Sequence, residues 1–391
     1  MKRFLALTFI FFVTGISNSQ LIDSEDFMPD KLISENLNEV ISMNSLKRSD
    51  LKISYRDVII HLHHTWTISR ESSDFKHDVI VMIEKDGIIG YGEGAPSIRF
   101  GETPETVKKG LDAIIKLTGL DPEKFKWTSE YIEKNVDGYY AAKTAFDMAM
   151  YDYAGKKYGI PLYKMLGLNP DDTPYTSFSI GIDNIDVIKQ KTKEAEPYKI
   201  LKVKLGTDFD YDIIKTIRSI TDKPIRADAN EGWTRDEALE KLNWLYTQNV
   251  EFVEQPIPAA DIEGIRWLRE NTEMPIFADE ALKTPADMPA IASAYDGVVI
   301  KLVKAGGITP ALQLIHTAKT LGLKIMIGCM VSTSVAVTAA AHLTPMLEYA
   351  DLDGNLLVRD DPFDGVKVID GKLVLPDGPG LGVIPNNLFK K

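Results

Sequence analysis

Five ionisable residues stand at a spacing that suits metal-assisted proton transfer. Lys204, Asp228, Glu254, Asp279 and Lys301 are separated by 24, 26, 25 and 22 residues, and each follows a short apolar run. They fall in the triplets KVK, DAN, EQP, ADE and IKL. Three carboxylates brought together repel one another unless a cation neutralises them. Oxygen-only ligands favour Mg²⁺ or a close relative, so Asp228, Glu254 and Asp279 are the expected metal ligands. Any one of these acids alone would read as a solvated strand end or a helix cap; the shared register with the lysines favours the metal. Lys202 and Lys204 are two apart, so on a strand they face the same side. Lys204 and Lys301 are the expected acid/base pair, each with its pKa lowered toward the useful range by a neighbouring cation. The set fits one reaction. A metal-held carboxylate acidifies the neighbouring carbon, one lysine removes its proton to give an enediolate, and the other returns a proton to the opposite face. Lys202 adds positive charge at the same oxygens.

Such a set needs a scaffold that brings distant segments to one place. Eight apolar runs recur from residue 176 on: Thr176–Ile180, Ile200–Leu205, Ile225–Ala229, Phe252–Glu254, Ile276–Ala278, Val298–Ile300, Lys324–Ile327 and Tyr349–Leu352. Their starts lie 22 to 27 residues apart, with amphipathic helical stretches between them. This rhythm predicts a parallel α/β barrel over 171–354 in preference to a doubly wound sheet. In a barrel the strand ends share one mouth, and strands two and six, which carry Lys204 and Lys301, face each other across it. Residues 49–170 read differently. Strands are expected at 52–60, 66–69, 78–84 and 88–93, the last two joined by an Asp86-Gly87 turn. A helix capped by Thr103 and a longer alanine-rich helix over 139–157 follow. This is an α+β domain, completed by a segment spanning about 355–391.

The strand-end set resembles the enolase superfamily, and within it the muconate-lactonising branch, over about residues 50–385. The motifs that carry the resemblance are Lys202 and Lys204 in KVK, Asp228 in DAN, Glu254 in EQP, Asp279 in ADE and Lys301 in IKL. The resemblance implies a modified (β/α)₇β TIM-type barrel beneath an α+β capping domain, with one Mg²⁺ per subunit. It also admits a homo-oligomer, whose number the sequence does not fix.

The eighth strand narrows the substrate. Asp351 and Asp353 point the same way, are not needed for the metal, and suit an ammonium group. The segment Asp351-Leu352-Asp353-Gly354 resembles the signature of the family's dipeptide epimerases. There the acid pair holds the N-terminal ammonium, the metal holds the C-terminal carboxylate, and the C-terminal residue's Cα lies between the lysines. An Ala-Glu or related Ala-Xaa dipeptide is the expected substrate. Arg70 falls where some relatives place an arginine for the glutamate carboxylate; it reads equally as an exposed loop residue. Thr176, heading the first barrel strand, is a further candidate for substrate contact. Ser332 and Thr333 stand where many relatives carry an acid, which weakens transfer of specificity. His61, His63, His64 and Cys329 read as structural. Two alternatives stay open: a cycloisomerase or o-succinylbenzoate-synthase-like dehydratase, whose substrates carry no ammonium, and a non-catalytic exported peptide-binding protein.

Composition excludes other classes. The chain has 391 residues, 44% hydrophobic and 26% charged, which is the balance of a globular protein. One cysteine rules out a disulfide framework and any multi-cysteine metal site. With 45 basic against 57 acidic residues and no basic run, nucleic-acid binding is not expected. Lys2 and Arg3, the apolar run Phe4–Val13 and the small residues up to Ser19 predict a secretory signal peptide over 1–19, cut near Ser19–Gln20. A polar tail over 20–48 follows, and export to the periplasm is implied. No later run is long enough to span a membrane.

Overall fold

The computed structural model describes residues 51–390. The expected signal peptide and the polar tail over 20–48 lie outside them. The described part begins with three antiparallel strands, β1 (Lys52–Thr67), β2 (Ser72–Lys85) and β3 (Ile88–Gly94), in that spatial order. The sequence suggests a break after Ile60, but β1 runs on as one long strand. Its pairing with β2 shifts register between His61 and Trp66, which is why the alternation of residue types lapses there.

Three helices follow: α1 (Pro104–Ile115), α2 (Phe125–Asn135) and α3 (Tyr140–Tyr158). Thr103 caps α1 through the backbone N–H of Thr106, as its position before proline predicts. Fifteen consecutive residues of α3, from Ala141 to Gly155, are buried, so this helix is enclosed on all sides instead of being amphipathic. Its small residues explain how. A Cβ at Gly92 of β3 would lie 1.9 Å from the carbonyl oxygen of Ala145, so helix and strand backbones are in direct contact. The opposite side of α3 reaches the barrel. Asp147 accepts hydrogen bonds from the N–H groups of Ile308 (2.6 Å) and Thr309 (3.0 Å). It thereby caps the helix Ile308–Thr320 from a different layer of the fold.

The barrel strands are β4 (Ser177–Ile180), β5 (Ile200–Lys204), β6 (Ile225–Asp228), β7 (Val250–Glu254), β8 (Ile276–Ala278), β9 (Gly297–Lys301), β10 (Lys324–Gly328) and β11 (Tyr349–Asp351). All seven successive pairings are parallel, in chain order. A doubly wound sheet would reverse its order at a switch point. Here the first strand instead meets the last through a parallel bridge between Thr176 and Ala350. The strands have period two, which stacks the inward residues in layers. Phe252, Phe277, Val299 and Met326 form an apolar cluster, with the Phe252 and Phe277 rings stacked at 4.0 Å; the Arg226 guanidinium of the same layer lies over Phe252 and Tyr349. Two residues further along the same strands come Glu254, Asp279, Lys301 and Gly328. The charged layer therefore rests on a packed, largely aromatic and aliphatic base.

After the barrel, Phe363–Asp364 pairs with Ile384–Pro385. The rings of Phe363 and Phe389 pack against Tyr91 of β3, at 5.3 and 5.9 Å between centroids. Among the described residues no helix is long and apolar enough to cross a membrane.

Candidate active site

Barrel register sets the site. Lys204, Asp228 and Glu254 are direct neighbours across β5, β6 and β7. Lys301, Gly328 and Asp351 are direct neighbours across β9, β10 and β11. Asp279 follows the last residue of β8. A Cβ at Gly328 would come within 3.2 Å of Lys301 Cε, so the glycine leaves the lysine its path across the mouth.

The three acids converge as expected. One oxygen from each of Asp228, Glu254 and Asp279 lies within 4.8 Å of the others, and all three residues are buried. Lysines surround them. Lys204 Nζ lies 2.6 Å from Asp228 Oδ2, and Lys301 Nζ lies 2.7 Å from Asp279 Oδ2. Lys202 Nζ reaches Glu254 Oε2 at 2.8 Å, Asp351 Oδ2 at 2.7 Å and Asp228 Oδ2 at 3.3 Å. Burial works against the ionised form of every one of these groups, and the pairings decide the outcome. Burial raises Asp228, but Lys204 and Lys202 overcome it and hold the carboxyl well below its ordinary range. Asp279 is likewise raised by burial, and Lys301 and Lys304 more than reverse the effect. Burial lowers Lys202, yet Asp351, Glu254 and Asp228 carry it well above the ordinary lysine value. Lys301 is raised too, Asp279 outweighing burial. That is opposite to the lowered pKa expected of this base from its sequence context, because its nearest partner is an acid and not a cation.

Glu254 is the exception among the acids. Burial pushes it up to about 8, against the pull of Lys202. Its Oε1 is buried with no hydrogen-bond partner among the described residues. An unpartnered oxygen on one of three clustered carboxylates fits a hard divalent cation that takes oxygen ligands.

Asp351 and Asp353 are both buried at the end of β11. Asp351 accepts from Lys202 and from Ser177 Oγ, the latter at 2.7 Å. Asp353 accepts from the Ser179 N–H at 2.6 Å and its hydroxyl at 3.3 Å. Burial, reinforced by Asp351, pushes Asp353 up to about 7. A cavity of about 410 Å³ opens between the barrel mouth and the loops of the first three strands; its lining includes Trp66, Arg70, Lys204, Asp279, Lys301 and Met330, while Asp351 and Asp353 lie outside the lining.

Arg70 does line that cavity, but its fork is engaged: Nη2 lies 2.8 Å from Glu280 Oε1 and Nη1 2.6 Å from the Asn230 carbonyl. Thr176 sits elsewhere. It is fully buried in the seam that closes the barrel, its hydroxyl accepting from the Leu352 N–H at 2.8 Å and donating to the Ser177 carbonyl at 3.2 Å. Both bonds of its hydroxyl are spent within the seam, in place of the expected substrate contact; the hydroxyls that meet the acid pair are those of Ser177 and Ser179.

Lys304, Ser177 and Ser179 escape the sequence reading. Lys304 is buried and donates to Asp279 Oδ1 at 2.5 Å. Its only signal is a second lysine three residues after Lys301, one helical turn on. The two serines alternate along β4, and that period-two pair would have placed both hydroxyls inside the barrel.

Comparison with known proteins adds independent findings. Residues 52–167 match the family model described as mandelate racemase / muconate lactonizing enzyme, N-terminal domain, and residues 186–388 match that described as enolase C-terminal domain-like. The chain is 41% identical to the L-Ala-D/L-Glu epimerase of Bacteroides thetaiotaomicron, over 85% of this chain and 88% of that protein. It is 40% identical to the L-Ala-D/L-amino acid epimerase of Pedosphaera parvula, over 84% and 97% respectively. The crystal structure of the dipeptide epimerase from Enterococcus faecalis V583 complexed with Mg and L-Leu-L-Tyr superposes with a TM-score of 0.80, at 33% identity, covering 85% of this chain and 99% of that one.

Proposed function

The chain belongs to the mandelate racemase / muconate lactonizing enzyme family of enolase-like proteins, and from that premise we propose that it is a metal-dependent dipeptide epimerase inverting the Cα of the C-terminal residue. The observation that carries this reading is the placement of Lys204 and Lys301 on strands four apart in an eight-strand barrel, each beside a different acid of the triad. Asp228, Glu254 and Asp279 would hold the cation, Mg²⁺. When bound, it supplies positive charge to the substrate carboxylate and engages the acids that otherwise pair with the lysines. The ends of the dipeptide are fixed separately. Asp351 and Asp353 receive the ammonium, and Lys202 lends charge at the carboxylate end. Lys204 Nζ takes the Cα proton on one face and Lys301 Nζ delivers one on the other; the roles exchange for the opposite epimer.

The test is a mass-spectrometric screen of dipeptides, Ala-Glu and other Ala-Xaa first, incubated with the Mg²⁺-loaded enzyme in D₂O. Deuterium at the C-terminal Cα, with loss of optical purity, is the expected result; no incorporation into any dipeptide refutes the reading.

Residues 1–19 act as a secretory signal in this proposal, and residues 49–170 with 355–391 form the capping domain. A charged start and a ten-residue apolar run support export, which would place the enzyme beside cell-wall peptides. N-terminal sequencing of the secreted protein, expected to begin near Gln20, tests it.

A further inference from the structure

One guanidinium joins a loop of the first three strands to two segments of the barrel mouth. Arg70 lies in the short connection between β1 and β2. Two of its barrel partners, Asn230 and Glu280, stand respectively two residues after Asp228 and one residue after Asp279; the third, Glu231 Oε2, lies 3.4 Å from Nη1. Ser69 Oγ adds a 3.3 Å hydrogen bond to the same Asn230 carbonyl. Asn230 Nδ2 donates to Glu280 Oε1 at 3.3 Å, closing a small network. Both residues are buried, and each keeps one acceptor oxygen, Asn230 Oδ1 and Glu280 Oε2, with no hydrogen-bond partner among the described residues. A buried acceptor left unpaired costs free energy, so a donor is expected there. A cation held by Asp228 and Asp279 keeps part of its water shell, and those waters carry such donors.

We propose that Asn230 and Glu280 form the outer hydrogen-bonding shell of the metal centre and that Arg70 is a positioning residue coupling this shell to closure of the loop over 66–73. This rests on the reading that Asp228, Glu254 and Asp279 bind Mg²⁺. It gives Arg70 a different task from recognition of a substrate carboxylate, because its fork already serves acceptors of the protein. Coupling is reciprocal: the ion favours the closed loop, and the closed loop favours the ion.

The experiment uses the full protein without substrate. Mg²⁺ affinity is measured by titration calorimetry, and amide exchange over 66–73 with and without Mg²⁺. In the wild type, Mg²⁺ should slow exchange in that loop. In Arg70→Met and Glu280→Gln the affinity should fall about 10- to 100-fold, the range for lost outer-shell partners, and the Mg²⁺-dependent protection should vanish. Arg70→Lys, which cannot span Asn230 and Glu280 together, should recover part of the affinity. Turnover of dipeptides with acidic and neutral C-terminal residues should drop by similar factors in Arg70→Met. Unchanged Mg²⁺ affinity in that variant, with the loss confined to acidic dipeptides, overturns the inference and makes Arg70 a substrate ligand. A wild type that binds no Mg²⁺ overturns the metal reading itself, a result distinct from the first.

Discussion

Lys202 Nζ donates to Asp351 Oδ2 at 2.7 Å while holding Glu254 Oε2 at 2.8 Å. The amine links the acid proposed for the substrate ammonium to an acid proposed for the metal. Among the described residues Asp353 has no lysine partner, and its carboxylate accepts only from Ser179. The two aspartates should therefore respond differently to loss of charge. Asp353→Asn should raise KM for a dipeptide about 10-fold or more, the worth of one charge-assisted hydrogen bond, and leave Mg²⁺ affinity unchanged. Asp351→Asn should raise KM and weaken Mg²⁺ binding as well, since Lys202 then competes harder for Glu254. Kinetics and calorimetry on both variants decide; identical Mg²⁺ affinities would remove the link.

Lys204 and Lys301 approach the triad from opposite walls, one paired with Asp228 and the other with Asp279. Each should serve one face of the substrate carbon. Either alanine variant should lose epimerisation by about 10²- to 10⁴-fold, the usual worth of a positioned acid or base. Deuterium exchange should separate them: Lys204→Ala blocks exchange of one epimer more than the other, and Lys301→Ala shows the reverse. Equal loss for both epimers in both variants would contradict a two-sided mechanism.

The unpartnered Oε1 of Glu254 gives a stability test. Burial of this carboxyl opposes its ionisation, so Glu254→Gln should melt at or above the wild type in chelator. In Mg²⁺ the order should reverse. The wild type gains about 2.7 kcal/mol when the ion is at 100 times its Kd, and the variant gains little. Chelator should also abolish wild-type activity, with Mg²⁺ restoring it. Parallel Mg²⁺-induced shifts in both proteins would show that Glu254 is not a ligand.

What the sequence made legible follows from periodicity. Eight apolar runs at near-constant spacing mark the barrel strands, and the polar residue ending each run marks the mouth, so Asp228, Glu254, Asp279 and Lys301 are readable without coordinates. The seam was harder. Thr176 precedes β4 and looks like a strand-end hydroxyl, but which residue bridges the first strand to the last depends on barrel closure, which one chain's pattern does not encode. Lys304 lies on a four-residue helix whose direction is set by Lys301 and the turn after it. Arg70 was visible as a loop cation; its engagement by Glu280 depends on how the loop sits over the mouth, 210 residues away in sequence. Local signals found the residues, and long-range packing fixed their partners.

His342 offers a pH test away from the chemistry. It is fully buried, stacks on Tyr163 and joins three segments: its Nδ1 accepts from the Tyr163 N–H at 3.3 Å, and its Nε2 donates to the Leu381 carbonyl at 3.0 Å. This arrangement requires the neutral ring, since a proton on Nδ1 would meet another N–H. Burial lowers its pKa to about 4, against the pull of the Leu381 carbonyl. The folded value lies below the unfolded value of about 6.5, so the unfolded chain binds the proton first. The stabilisation is thus complete above about pH 6.5 and is lost as pH falls toward 4. His342→Gln should be less stable than the wild type near neutrality, with the gap narrowing by about 2 kcal/mol between about pH 7.5 and pH 5. Urea unfolding of both proteins at the two pH values measures it. A gap independent of pH would mean that the ring titrates alike in both states and that its burial carries no proton linkage.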